Sequence, residues 1–279
     1  MSAEVTTYRY VRFALLALLL ALTVSVGAET VRSGWQTSLS AYYYTAAGPV
    51  FVGALTAVGV CLIALRGFTD AEDVLLNLAG ISAPMVAFVP TPEAGRHPDV
   101  AAVENSALTF LAVLALGYVV VLVVGLRRRA EGWPTRWGLF GLIATALAWV
   151  VGIAWILLDR RSFAAHAHAL AAVATFVPFA GVVVLNTDWG VRVLAGAREP
   201  SRTRFDAAYW GIGAGMVVAV LVFAGLHAWT YALLGLETAL LALFGAFWVL
   251  QTIDLFDADR DLARCHPAGG DVRSATVTG

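Results

Sequence analysis

Eight long, nearly unbroken apolar runs dominate this sequence and leave few folds open to it. An α-helix rises about 1.5 Å per residue and the hydrocarbon layer of a bilayer is roughly 30 Å thick, so about 20 apolar residues make one crossing. The runs fall near residues 10–28, 47–65, 74–90, 106–126, 136–158, 163–185, 207–230 and 236–253. Within lipid every backbone N–H and C=O must find a partner inside its own segment or in a closed barrel, and runs of this length and uniformity suit helices. The pattern predicts an all-α, polytopic transmembrane bundle of about eight spans over residues 1–262. Composition agrees, because 60% of the 279 residues are hydrophobic and 13% are charged, a balance that soluble domains rarely show.

Arginine placement predicts the orientation. Basic residues beside short loops stay preferentially on the cytoplasmic side. Arg9, Arg12, Arg66, Arg127, Arg128, Arg129, Arg136, Arg192, Arg198, Arg202, Arg204, Arg260, Arg264 and Arg273 fall on one side, and only Arg32, Arg96, Arg160 and Arg161 on the other. Both termini are therefore expected in the cytoplasm, with odd-numbered spans running outward. Tryptophans mark the same boundaries: Trp35, Trp155 and Trp229 near outer ends, Trp133, Trp137, Trp189 and Trp210 near inner ends. The first run also has the form of a signal peptide, with Arg9 and Arg12, an apolar stretch and then Val26-Gly27-Ala28. Its apolar run exceeds the roughly 7–15 residues usual for such peptides, which favours a retained helix.

The longer connections are the outer segments 29–46 and 91–105 and the cytoplasmic loop 186–206. The polar tail 263–279 is expected to be cytoplasmic and disordered. In the polar stretch 254–279, Asp254, Asp257, Asp259 and Asp261 alternate without the central Gly and final Glu of an EF-hand. Net charge is −1, so the expected partner is the lipid bilayer and no field invites nucleic acid. Pro84 and Pro178 fall inside spans, where each should kink its helix. Gly211 and Gly215 form a small-xxx-small pair suited to close packing within the bundle.

Ionisable residues are missing from the middle of every predicted span, which argues against midplane-carboxylate transporters and voltage sensors. Asn77 and Gln251 are the interior polar residues besides histidine, Ser and Thr. The topology brings Ser38, Ser40, Tyr42, Tyr43, Tyr44, His166, His168, His227 and Glu237 to one depth, near the outer surface. Two readings stand: the ordinary preference of such residues for an interface, or a shallow outward-facing pocket built on Ser40, Tyr42, Tyr43, His168, His227 and Glu237. His166 and His168 lie about 200° apart on a helix, so they cannot face one site. His168 shares its face with Ala172 and Thr175 and should point into the bundle. Glu237, Phe244, Trp248 and Gln251 share one stripe, which should also face inward. Were His168, His227 and Glu237 to converge, two imidazoles and a carboxylate could hold zinc with a position open for water. No HExxH signature accompanies them, so no metal ligand is assigned.

Between residues 37 and 92 the chain reads Ser38-Leu39-Ser40-Ala41-Tyr42-Tyr43-Tyr44-Thr45, then Phe51-Val52-Gly53, Gly59, Arg66-Gly67, Asp73 and Asn77-Leu78-Ala79-Gly80. This resembles a family of bacterial polytopic membrane proteins grouped under a domain of unknown function. The resemblance implies a multi-pass protein of a bacterial inner membrane and supplies no activity. An acidic residue commonly precedes Phe-Val-Gly in that family, where this chain has Gly48-Pro49. The chain is more distantly similar to the seven-helix superfamily of alkaline ceramidases and progestin-type receptors, whose pattern includes HxxxH. Here only HxH is present.

Three functions remain open from the sequence. The first is a non-enzymatic membrane protein: receptor-like, lipid-binding or a passive transporter, with a lipid or small-molecule ligand. The second is a membrane-embedded metal-dependent lipid hydrolase using His168, His227 and Glu237, and the third an accessory subunit docking through its cytoplasmic arginines.

Overall fold

The structure, a computed structural model, describes residues 3–93, 95–128, 133–193 and 205–265. Nine α-helices occur among them: α1 (Ala3–Ser33), α2 (Gly48–Ala64), α3 (Asp70–Phe88), α4 (Val100–Arg127), α5 (Arg136–Leu158), α6 (Arg160–Leu185), α7 (Asp188–Val193), α8 (Asp206–Gly225) and α9 (Ala232–Cys265). A short 3-10 helix, Ser40–Tyr44, joins α1 to α2. The described chain forms no β-sheet, and its one bridge pairs Glu93 with Arg96. Seven helices are long and apolar enough to cross a membrane: α1 from Thr7, α3, α4, α5, α6, α8, and α9 as far as Asp254. The eighth apolar helix, α2, has 17 residues and reaches about 25 Å. The all-α, multi-pass architecture read from the runs is the one observed.

Helix ends differ from the run ends for local reasons. A run stops where grease stops, whereas a helix stops where its terminal N–H and C=O groups find other partners. Thus α4 starts at Val100 because the Asp99 carboxylate accepts from Ala101 N and Ala102 N, six residues before the run predicted near 106. Conversely α8 stops at Gly225, and residues 226–230 form turns carried by bonds such as Trp229 N to Leu226 O. Segment 186–206, read as a loop, contains the short α7. The tail expected to be disordered from 263 is helical to Cys265, and 266–279 lie outside the described residues.

Helix α3 is the hub, packed against α2 on one side and α6 on the other. Glycine allows the tightest of these contacts. A Cβ on Gly59 would lie 2.6 Å from Gly80 O, and one on Gly80 would lie 2.7 Å from Gly59 O. Pro84 and Pro178 sit inside helices that continue through them. Gly215 packs against Leu243 of α9, so this half of the small-residue pair serves packing within the chain, while Gly211 meets open space. The main core joins Leu15 and Leu19 of α1 to Leu62, Leu76, Phe179, Phe247 and Trp248. Its aromatic centre is dense: the Phe179 ring lies 4.5 Å from Phe244 and 5.2 Å from Phe247. Helices α4 and α5 form a peripheral hairpin with most of its apolar surface exposed, its two arms joined by Trp149 Nε1 donating to Leu111 O at 2.8 Å.

Candidate functional site

The buried charged side chains Arg12, Glu29 and Glu72, and His168, lie toward the two ends of the bundle, with an aromatic cluster between them. At the end where α1 and α3 finish and α6 and α9 begin, the segment after α1 folds into a strap, residues 37–45, that is held to several neighbours. Leu234 N donates to Thr37 O at 3.1 Å. Leu39 N donates to Glu237 Oε2 at 2.5 Å, a charge-assisted bond of the stronger kind. Ser40 Oγ donates to Thr91 Oγ1 at 2.6 Å, which spends its single hydrogen, so Ser38 must be the donor in the 3.1 Å Ser38–Ser40 contact. Thr37 bonds Glu93, and Tyr42 OH meets Thr30 Oγ1 at 2.5 Å.

His168 faces the bundle, as its helical face predicted, and is buried. Its Nδ1 lies 2.7 Å from Val89 O and 3.2 Å from Val86 O. Carbonyls only accept, so the ring hydrogen sits on Nδ1. Nε2 is turned to Glu237 Oε1 at 3.6 Å and makes no hydrogen bond. His166 is exposed, on the opposite side of α6 from His168. His227, placed in a span by the sequence pattern, lies exposed in the turn after α8 with Nδ1 3.2 Å from Ala224 O. The structure therefore joins two of the three metal candidates, and no group of three His, Cys, Asp or Glu able to hold a metal comes together among the described residues.

The pocket candidates Ser40, Tyr42, His168 and Glu237 are thus engaged: Ser40 and Tyr42 with the hydroxyls of Ser38, Thr91 and Thr30, His168 with backbone carbonyls while its other ring nitrogen faces Glu237, and Glu237 with Leu39 N of the strap. Tyr43 is half-buried, edge-on to Tyr44 with ring centroids 5.3 Å apart. Tyr44 donates to Thr91 O at 3.4 Å, and burial, then its neighbours Tyr43 and Glu93, push its phenol up to about 12.

Open space lies on the other side of the strap. A groove of about 560 Å³ runs between α1 and α9, floored by Leu22, Tyr42 and Leu234 and walled by Val26, Leu39 and Leu241. Its lip carries Leu20, Val31 and Trp35, exposed by 64%, 91% and 69%, so it opens sideways from a helix that is apolar enough to sit in lipid. Small-molecule sites occupy roughly 300–1,000 Å³, so this volume holds one long chain or a compact ring system. Glu237 lies behind the wall, with Thr238, the next residue, on the lining.

The opposite end holds residues that the apolar pattern passed over. Glu72, 3% exposed, accepts from Phe68 N at 2.8 Å, Asn186 Nδ2 at 2.9 Å and Gln251 Nε2 at 3.4 Å. Gln251 Nε2 also donates to Asn186 Oδ1 at 3.0 Å. Arg12, 1% exposed, lies within electrostatic reach of Glu72 and donates through Nη2 to Tyr8 OH at 2.7 Å. Its guanidinium stacks 4.5 Å over Tyr8 and 5.5 Å from the Trp248 ring. Gln251 was recognised as interior and polar; its partners were not. Asn77 is half-buried along α3, away from this cluster's bonds. A signal for Glu72 exists in Thr69-Asp70-Ala71-Glu72, a capping-box pattern whose Thr69 Oγ1 accepts from Glu72 N at 3.2 Å. The Glu72 side chain departs from that motif by reaching one residue further back, to Phe68 N.

No family model matches the chain, and no curated protein and no solved structure matches it.

Proposed function

We propose that this protein is a multi-pass component of the cell membrane, with both termini cytoplasmic, that binds a membrane amphiphile in the lateral groove between α1 and α9. The observation that carries this reading is the groove itself: an apolar slot of about 560 Å³ whose open side faces where lipid would lie and whose floor is a hydrogen-bonded strap. A chain entering from the bilayer would exchange contact with lipid tails for contact with a shaped wall. Binding is favoured over conduction because Phe179, Phe244, Phe247 and Trp248 fill the middle of the bundle between its polar ends. Retention of α1 is supported by Leu15, Leu19 and Arg12, which would leave the main core and the Glu72 cluster open if the helix were removed. The orientation rests on the uneven distribution of arginines.

Gly27 gives a direct test, since a Cβ built there meets nothing within 4 Å and the residue lines the groove. Gly27→Leu should project into the slot, its Cβ having open space. Native mass spectrometry of protein extracted in mild detergent should show a bound amphiphile on the wild type and its loss from the variant. An adduct of the same mass and occupancy on both proteins would refute the assignment. Reporter fusions at Glu93 and Pro200 should report opposite compartments; a common compartment would refute the orientation.

A further inference from the structure

The hydroxyls at the α1 wall of the groove indicate what headgroup suits that wall, an inference that rests on the groove being a ligand site. Thr23 Oγ1 donates to Leu19 O at 2.8 Å and Thr30 Oγ1 donates to Val26 O at 2.8 Å, so each has used its one hydrogen. The short contact between Thr30 Oγ1 and Tyr42 OH must then be supplied with the phenol's hydrogen. What α1 offers to the groove is acceptor capacity alone; the other side-chain donors on the lining, the Thr238 hydroxyl and the Trp35 indole N–H, come from outside α1. Charge is missing from the same surface, because no Arg, Asp, Glu or His is among the described residues that line it. The nearby guanidinium of Arg32 is held at 2.6 Å by Glu29. Glu237, beside the lining residue Thr238, is engaged by Leu39 N and faces His168.

An ionised phosphate or carboxylate carries only acceptors, so at Thr30 it would set lone pairs against lone pairs with no cation to offset its burial. An ammonium group would find no free carboxylate. An uncharged group with an O–H suits both the missing charge and the waiting acceptors. We propose that the groove takes a long-chain amphiphile with a neutral, hydrogen-donating headgroup, in its simplest form a long-chain alcohol. The hydroxyl lies at Thr30, near the end of α1, and the chain runs past Val26 and Leu22 toward Leu19 and Gly245, deeper in the bundle.

The test uses full-length protein in phosphatidylcholine vesicles holding trace amounts of a diazirine-bearing long-chain alcohol or the phosphate monoester of the same chain. After photolysis, peptide mass spectrometry locates the label. The alcohol should mark α1 and α9 around Gly27 and Leu241 about tenfold more than the phosphate, the factor that roughly 1.4 kcal/mol of selectivity gives. Gly27→Leu should abolish that labelling. Gly245→Leu provides the same block from α9 if the first variant folds poorly, its Cβ meeting only Leu19 Cδ1 at an ordinary 3.6 Å. Thr30→Val should erase the preference for the alcohol. Equal or stronger labelling by the phosphate, still abolished by Gly27→Leu, overturns the neutral headgroup and leaves the groove as a site. Labelling that neither glycine variant reduces, or absence of labelling by both probes, overturns the site as well.

Discussion

At one end of the bundle α1, α3, α6 and α9 meet around a buried Arg12 and Glu72; at the other they meet through hydroxyls, backbone carbonyls and the carboxylates of Glu93 and Glu237. Arg12, Glu72, Asn186 and Gln251 form the first meeting, each contributed by a different element or its cap. Thr30, Val89, His168 and Glu237 mark the second, where the strap 37–45 fills the space between them. The charged cluster is closed, with Arg12 and Glu72 sealed under aromatic rings and amides. The hydroxyl-rich end leaves a slot along its flank. In a bilayer a charge can be buried only together with its partners, so the more polar cluster is the better filled one. Polarity therefore marks where helices are tied, and room for a ligand appears beside the weaker of the two ties.

The largest effect should come from breaking the charged tie. Glu72→Leu removes the acceptor of three hydrogen bonds. Leaving buried donors without an acceptor costs about 1–3 kcal/mol each, which should appear as a collapse in yield of monodisperse protein and in thermal midpoint in mild detergent. Glu72→Gln keeps one acceptor oxygen and should cost less, about 1–3 kcal/mol. If both variants unfold like wild type, the cluster does not hold the helices and the contrast between the two ends disappears.

Cutting the strap should matter next. Glu237→Ala leaves Leu39 N, in a part-buried position, without its acceptor, and a hydrogen bond to a charged group contributes about 1.5–3 kcal/mol. The loss should be local: hydrogen exchange should quicken at residues 38–42 while the α3–α6 contact stays protected. Because Leu39 and Tyr42 form part of the groove wall and floor, amphiphile retention should fall in the same variant. Gly27→Leu separates the two consequences. It should abolish retention while raising stability by about 0.5–1 kcal/mol, the gain expected when glycine leaves a helix interior. Lost stability with retained amphiphile would reverse the roles given to strap and groove.

The all-α class, the order of the apolar helices and the inward faces of His168 and of the Phe244–Trp248–Gln251 stripe are readable because all rest on one local rule, apolar periodicity. Helix ends are less legible, since Asp99 and Thr69 each act through one side chain's capping bonds, which hydropathy does not register. Arg12 and Glu72 were passed over for a related reason. Each lies within a few residues of a run boundary, where a charge ordinarily reads as flanking solvent, and only the approach of α6 and α9 turns those positions into interior. His227 failed in the opposite direction: the run continued through it, yet the helix ends at Gly225. The groove could not be seen at all, because it is defined by the gap between α1 and α9, more than 200 residues apart in places.

The smallest effect concerns Tyr44, and it probes the strap end alone. The phenol is pushed from its ordinary value near 10 to about 12, first by burial and then by Tyr43 and Glu93. The folded state thus holds this proton more tightly than the unfolded state. Its contribution to stability is complete below about pH 10 and is lost as pH climbs through about 12, since the unfolded chain binds fewer protons across that window. Partial exposure screens the effect, so the expected change is a modest fall in stability confined to the alkaline range. Tyr44→Phe should flatten that fall, and absorbance of the phenolate should show one late-titrating tyrosine missing from the variant. The charged end offers a control, because no loss of the Tyr44 proton should alter the protection of residues around Glu72. A strap that loosens at high pH while that end stays closed would show the two ties to be independent; simultaneous opening would make the bundle a single cooperative unit.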